Sequence, residues 1–248
     1  MILSEKFGFV FIKGKRVGGT SVEMALSTIC GSQDIVTPIA PIDELARMEH
    51  GGLARNYAAA PELEDAYIQE IRKSPRDGLG QILVPKERYY NHMALREVIA
   101  IYGPSAASFD VICVERSPFA KILSWANWLT SSQVYLSGGK LQTDLTALRS
   151  AVDRIFASGD FAEVRNIDLY RAEDGRVAAR ALRHENLEAD LQEFLSSRGI
   201  SHLSYLPWAK AGLKSNRLDP REFFSKEQVR RIEDVFAEEF GTFGYSRL

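Results

Sequence analysis

An α/β fold, with a central parallel sheet flanked by helices, follows from three observations on the chain. Two short apolar runs, Phe7 to Ile12 and Phe109 to Val114, have the composition of strands buried on both faces. Each runs through a turn marked by glycine or proline into a helical pattern, the strand-to-helix junction from which parallel sheets are built. The length of 248 residues suits one such domain with a sizeable core. The whole chain, 1–248, is therefore read as a single domain.

The first junction is Lys13-Gly14-Lys15-Arg16-Val17-Gly18-Gly19-Thr20-Ser21, leading into Val22-Glu23-Met24-Ala25-Leu26. Glycines let a backbone curl tightly and approach a ligand, and a helix start offers unused N–H groups and partial positive charge to an anion. Three cations, Lys13, Lys15 and Arg16, add to that field. A phosphate-binding nucleotidase loop reads G-x-x-x-x-G-K-[ST]. Gly14 and Gly19 keep the glycine spacing, but Thr20 stands where the lysine belongs. An ordinary βα turn with no ligand is the plain alternative.

The second junction is Glu115-Arg116-Ser117-Pro118-Phe119-Ala120-Lys121-Ile122-Leu123-Ser124-Trp125. Pro118 suits the first turn of a helix, where its missing N–H costs nothing. Arg116 falls at the carboxyl end of the strand and Ser124 about two turns along the helix. Arginine grips phosphate oxygens in a two-pronged fork, and open α/β sheets bind ligands beyond the carboxyl ends of their strands. Both junctions are thus expected to face one crevice.

Between them, Ile39 to Arg88 mixes Pro, Gly, Ala and charge, and reads as short helices and loops inserted between the two junctions, the kind of variable segment that shapes a pocket on a fixed scaffold. Further on, Asp174-Gly175 is a hairpin-turn signal. Asn186 to Ser197 carries Leu187, Leu191, Phe194 and Leu195 at helical spacing. The last helix opens on a Ser225/Gln228 capping box, and Gly241 is placed to end it.

Taken together, the two junctions resemble those of sulfotransferases that use 3′-phosphoadenosine 5′-phosphosulfate (PAPS), particularly the carbohydrate O-sulfotransferase branch. Arg16-Val17-Gly18-Gly19-Thr20-Ser21 resembles the K-T-A-G-T-S type loop for the 5′-phosphosulfate. Arg116-Ser117-Pro118-Phe119-Ala120-Lys121-Ile122-Leu123-Ser124 resembles the R-[ND]-P-x-x-[RK]-x-x-S type motif for the 3′-phosphate. Phe223 through Tyr245 is similar to the family's closing helix and its F-G-Y ending.

The resemblance implies a P-loop-like sulfotransferase fold. It also implies transfer of a sulfuryl group from PAPS to an acceptor hydroxyl, on a small molecule or glycan, without a metal. Arg16 to Ser21 would hold the 5′ end, and Arg116 with Ser124 the 3′-phosphate. Lys214 and Arg217, with Lys210 and Ser215, would belong to a basic loop closing over the nucleotide. Arg16 replaces the family's lysine, and Lys15 stands beside it as a second cation for the reacting oxygen. The general base would be a histidine. His92, in Tyr89-Tyr90-Asn91-His92-Met93, is the first choice; His50, beside Gly51-Gly52, is the reserve. His184 reads as a cap or surface residue. Trp125, Trp128 and Tyr135 read as core or pocket lining.

A formal net charge of −2 gives no general drive toward nucleic acid. Two cysteines, Cys30 and Cys113, make no disulfide framework, and no Cys/His group has metal-ligand spacing. No apolar run reaches membrane length, and the amino terminus lacks a signal pattern, which predicts a cytoplasmic protein without a membrane span. Two rival functions remain: a P-loop kinase or nucleotidase, and a non-catalytic nucleotide-binding member of the family.

Overall fold

The computed structural model describes residues 1–136, 144–201, 203, 206–207 and 218–248. Five strands, β1 (Ile2–Ser4), β2 (Phe9–Ile12), β3 (Ile35–Val36), β4 (Asp110–Glu115) and β5 (Arg180–Arg183), form one sheet in the order β3-β1-β2-β4-β5. β2, β4 and β5 run parallel, while β1 is antiparallel to both β2 and β3. The sheet is therefore mixed, where a parallel one was expected. The difference comes from β1, a three-residue strand too short to show in the periodicity. It folds back on β2 through a turn closed by Gly8 in the left-handed region, φ 66°.

Alternation along the strands sends side chains to two cores. Phe9, Phe11, Ile112, Val114 and Leu182 pack with Val22 and Leu26 of α1 (Gly19–Ser27) and with Leu187, Leu191 and Phe194 of the helix Leu187–Ser196. Val10, Ile12 and Cys113 point the other way, onto Tyr57, Tyr89, Met93, Leu95, Val98 and Tyr170. Each fully buried phenylalanine of β2 contributes about 1.5–3 kcal/mol. This two-sided burial explains why β2 and β4 read as unbroken apolar runs.

The segment from Ile39 to Arg88 holds α2 (Pro41–Glu49) and α3 (Pro61–Lys73), each opened by proline and packed around Ile42, Tyr67, Ile68 and Ile71. Then follow α4 (Leu95–Tyr102), α5 (Pro118–Leu136), α6 (Leu145–Ser158), α7 (Leu187–Ser196), α8 (Pro220–Phe223), α9 (Lys226–Val235) and α10 (Ala237–Phe243). Helices α5, α6, α9 and α10 share a cluster built on Phe119, Trp125, Phe156, Phe236 and Phe240. The Ser225/Gln228 capping box opens α9. That helix ends at Val235, short of Gly241; Gly241 lies inside the separate α10, which is closed by Gly244, whose φ of 66° supplies a left-handed cap. Asp174-Gly175 does turn the chain, closed by one bridge between Arg171 and Val177. Among the described residues no helix is long and apolar enough to cross a membrane.

The parallel register aligns three strand ends. Ile12 pairs with Cys113, and Glu115 with Arg183, so β2, β4 and β5 deliver their following segments to one edge of the sheet. Those segments begin at Lys13, Arg116 and His184.

Candidate functional site

The turn after β2 is forced by backbone chemistry. Arg16 sits at φ 63° and Gly18 at φ 86°, both left-handed. Such a conformation is uncommon for a residue with a Cβ, and it turns the Arg16 side chain out of the curl. Gly14 has no room for anything larger, since a Cβ there would stand 2.2 Å from Tyr170 Oη. Gly18 caps α1 without a side chain, and the first turn of α1 carries no acid. The N–H groups of Gly19 and Thr20 meet no backbone carbonyl among the described residues. A helix start of this kind is prepared for an anion.

The three cations part company. Lys13 turns inward and pairs with Glu23 at 2.8 Å, both side chains almost fully buried. Burial pushes the Glu23 carboxyl up, but Lys13, the amino terminus and Arg47 outweigh it and hold the pKa at about 2. Lys15 turns sideways to Glu163, 3.0 Å away. Read from the sequence as a second cation beside Arg16, it lies here in this partly exposed ion pair. Arg16 alone extends over an aromatic face, its guanidinium carbon 4.4 Å from the centre of the Trp128 ring. Its Nε is buried without a hydrogen-bond partner. Burial lowers its pKa to about 10 against the pull of Glu163, so it stays charged near neutral pH.

Arg116 follows β4 and is 7% exposed. Burial brings its pKa down to about 10, while Glu185 and Tyr245 draw it up. Glu185 accepts hydrogen bonds from the Ser117 N–H at 3.0 Å and from the Tyr245 hydroxyl at 3.1 Å. Ser124 is half-buried on α5. Lys121, the inner cation of the same motif, points into the core. It is fully buried, pairing with Glu115 at 2.9 Å and with Glu239.

That buried charge cluster braces the site from behind. Asn166 holds the Lys15 peptide on both sides, accepting from its N–H at 2.8 Å and donating to its carbonyl at 2.9 Å. The same Asn166 amide donates to Glu115 at 3.2 Å, and the Tyr170 hydroxyl donates to Glu115 at 2.9 Å. Glu239 accepts from the N–H groups of Asn166 and Ile167. The loop and the Arg116 junction thus share one polar scaffold.

His184, read from the sequence as a cap or surface residue, is half-buried. It opens the third junction, after β5, and its ring lies against the loop: a Cβ on Gly18 would come 2.9 Å from His184 Cδ2. Its Nδ1 is buried and unpartnered. Burial and the Arg116 charge lower its pKa to about 4, so it is neutral at pH 7. The available signal was its place immediately after a strand, in the position that Lys13 and Arg116 occupy on theirs.

His92 meets the start of the loop, with Nδ1 2.9 Å from the Lys13 carbonyl. A carbonyl only accepts, so Nδ1 carries the proton and Nε2 keeps its lone pair. Burial first, then Lys13, push its pKa well below the ordinary range, which keeps the ring neutral. His50 caps α2 and is exposed. Thr20 and Ser21 lie nearly buried in the first turn of α1, beside the fully buried Val17. Lys210, Lys214, Ser215 and Arg217 lie outside the described residues, as does His202. No protein-family model, curated protein or solved structure matches the chain.

Proposed function

We propose that the chain is a PAPS-dependent sulfotransferase of P-loop-like fold, acting on a hydroxyl of a carbohydrate or other small acceptor. The observation that carries this reading is His184, wedged against Gly18 of the loop and within the field of Arg116. It supports a single crevice with one anion-binding end at the helix start of α1 and another at Arg116. Two separated anionic ends suit a nucleotide phosphorylated at both 3′ and 5′ positions. The unpartnered, buried Arg16 Nε fits such a guest, because a buried donor left unsatisfied costs stability that a ligand recovers.

When bound, PAPS supplies an activated sulfuryl group. This chain's residues position and stabilise it, as phosphoryl-transfer sites do. The N–H groups of Gly19 and Thr20 hold the 5′ end, and Arg116 with Ser124 the 3′-phosphate. His92 Nε2 takes the proton of the acceptor hydroxyl as its oxygen bonds to sulfur. Arg16 faces the charge collecting on the departing 5′-phosphate oxygen. Arginine gives up a proton poorly, so it contributes charge and hydrogen bonds there rather than acid.

A second reading, nucleotide binding without turnover, is favoured by the Lys15–Glu163 pair, which draws that lysine off Arg16's side of the loop. Transfer of radiolabelled sulfate from PAPS to a panel of sugars, phenols and alcohols, in chelator, tests the proposal. Label reaching an acceptor with wild type and not with Arg116→Ala supports it. Consumption of ATP in place of PAPS counts against it.

A further inference from the structure

The cations of the loop differ in what holds them. Lys13 and Lys15 each have a carboxylate partner, Glu23 and Glu163. Arg16 makes no ion pair among the described residues; its contact is the face of Trp128. A carboxylate would orient the guanidinium but consume its donors and cancel its charge. An aromatic face orients it through the ring quadrupole and leaves the in-plane N–H groups for another acceptor. Trp128 lies one helical turn beyond Ser124 on α5, so the two share a side of that helix. Both therefore lie on the helix that begins just after Arg116, and Trp128 reaches the loop at Arg16.

We propose that Trp128 is a positioning residue of this site, holding Arg16 in the orientation in which it receives the 5′ anion. The inference rests on the reading above and extends it to a residue that touches no reacting atom. A guanidinium already held in place loses little rotamer freedom when the anion arrives, and that saving appears as affinity. It also assigns one face of the indole to arginine, and so to something other than a stacked sugar.

A double-mutant cycle read by calorimetric binding of adenosine 3′,5′-bisphosphate tests this. Trp128→Leu is expected to weaken binding about fivefold to thirtyfold, and Trp128→Phe, which keeps an aromatic face, by less than about threefold. In an Arg16→Gln background, Trp128→Leu should cost no further affinity. Trp128 is half-buried, so the leucine variant is expected to fold; a melting curve checks it, and Trp128→Gln replaces it if it fails. Wild-type affinity in the leucine variant, or an equal loss with and without Arg16, overturns the positioning role while leaving the nucleotide site intact. A wild-type protein that does not bind the bisphosphate overturns the functional reading itself, and this inference with it.

Discussion

Gly18 and His184 are in contact across the sheet edge, from the junctions after β2 and β5, with no space between them for a side chain on residue 18. Gly18→Ala meets two obstacles, a left-handed backbone at φ 86° and the imidazole itself. It is expected to cost roughly 1–2 kcal/mol from the backbone alone and to weaken bisphosphate binding more than about tenfold. Adding His184→Ala should restore part of the stability, the steric part, in thermal melts.

Arg116→Ala is expected to remove most of the affinity for adenosine 3′,5′-bisphosphate, about tenfold to a hundredfold, as loss of a charge-assisted contact implies. Binding of ADP, which has no 3′-phosphate, should change little. Arg116→Lys should recover less than half of the loss in free energy, because a single ammonium cannot replace the fork. Parallel titrations of the three proteins check this.

His92→Asn keeps a side chain that tolerates the left-handed backbone at φ 60° but removes the base. Sulfuryl transfer is expected to fall about 100-fold or more, while bisphosphate affinity stays within about threefold. A variant that loses both in parallel would make His92 a support for the loop through the Lys13 carbonyl and nothing more.

His184 links the site to pH. Its folded pKa of about 4 lies below the ordinary histidine value, burial being the larger cause and Arg116 the next. In acid the unfolded chain therefore takes a proton that the native chain refuses. Stability from this group is present above pH 6.5 and drains away as pH falls toward 4. The slope is up to about 1.4 kcal/mol per pH unit. Between pH 6.5 and 5, His184→Gln should lose roughly 1–2 kcal/mol less than wild type in urea melts.

Lys121 holds two buried carboxylates, Glu115 and Glu239, with all three side chains almost wholly enclosed. Lys121→Met leaves those acids facing one another, and a loss of about 3–5 kcal/mol is expected. Adding Glu239→Gln should recover part of it. Such a change reports on the scaffold behind the loop and would weaken ligand binding only in proportion to unfolding.

The two junctions at Lys13 and Arg116 were legible because their strands are buried on both faces and their turns carry Gly and Pro. β5 was not, since Arg180 and Arg183 are exposed and only Leu182 is buried. With that strand went the significance of His184. Nor could the chain alone tell which of the three loop cations makes no ion pair among the described residues. That depends on Glu23, one helix turn into α1, and on Glu163, far along the sequence, and such pairings are fixed by tertiary packing. The Arg16–Trp128 stack was hidden for the same reason: 112 positions separate two residues that α5 brings together.

The α1 loop, Arg116 and His184 are proposed to form one site for a nucleotide phosphorylated at both ends. Calorimetric titration with adenosine 3′,5′-bisphosphate, against ADP and ATP, with and without Mg²⁺, tests it most directly. Metal-independent binding of the bisphosphate is expected, tighter than either ordinary nucleotide and lost in Arg116→Ala. Preference for ATP with Mg²⁺, or no binding of any of the three, would contradict it.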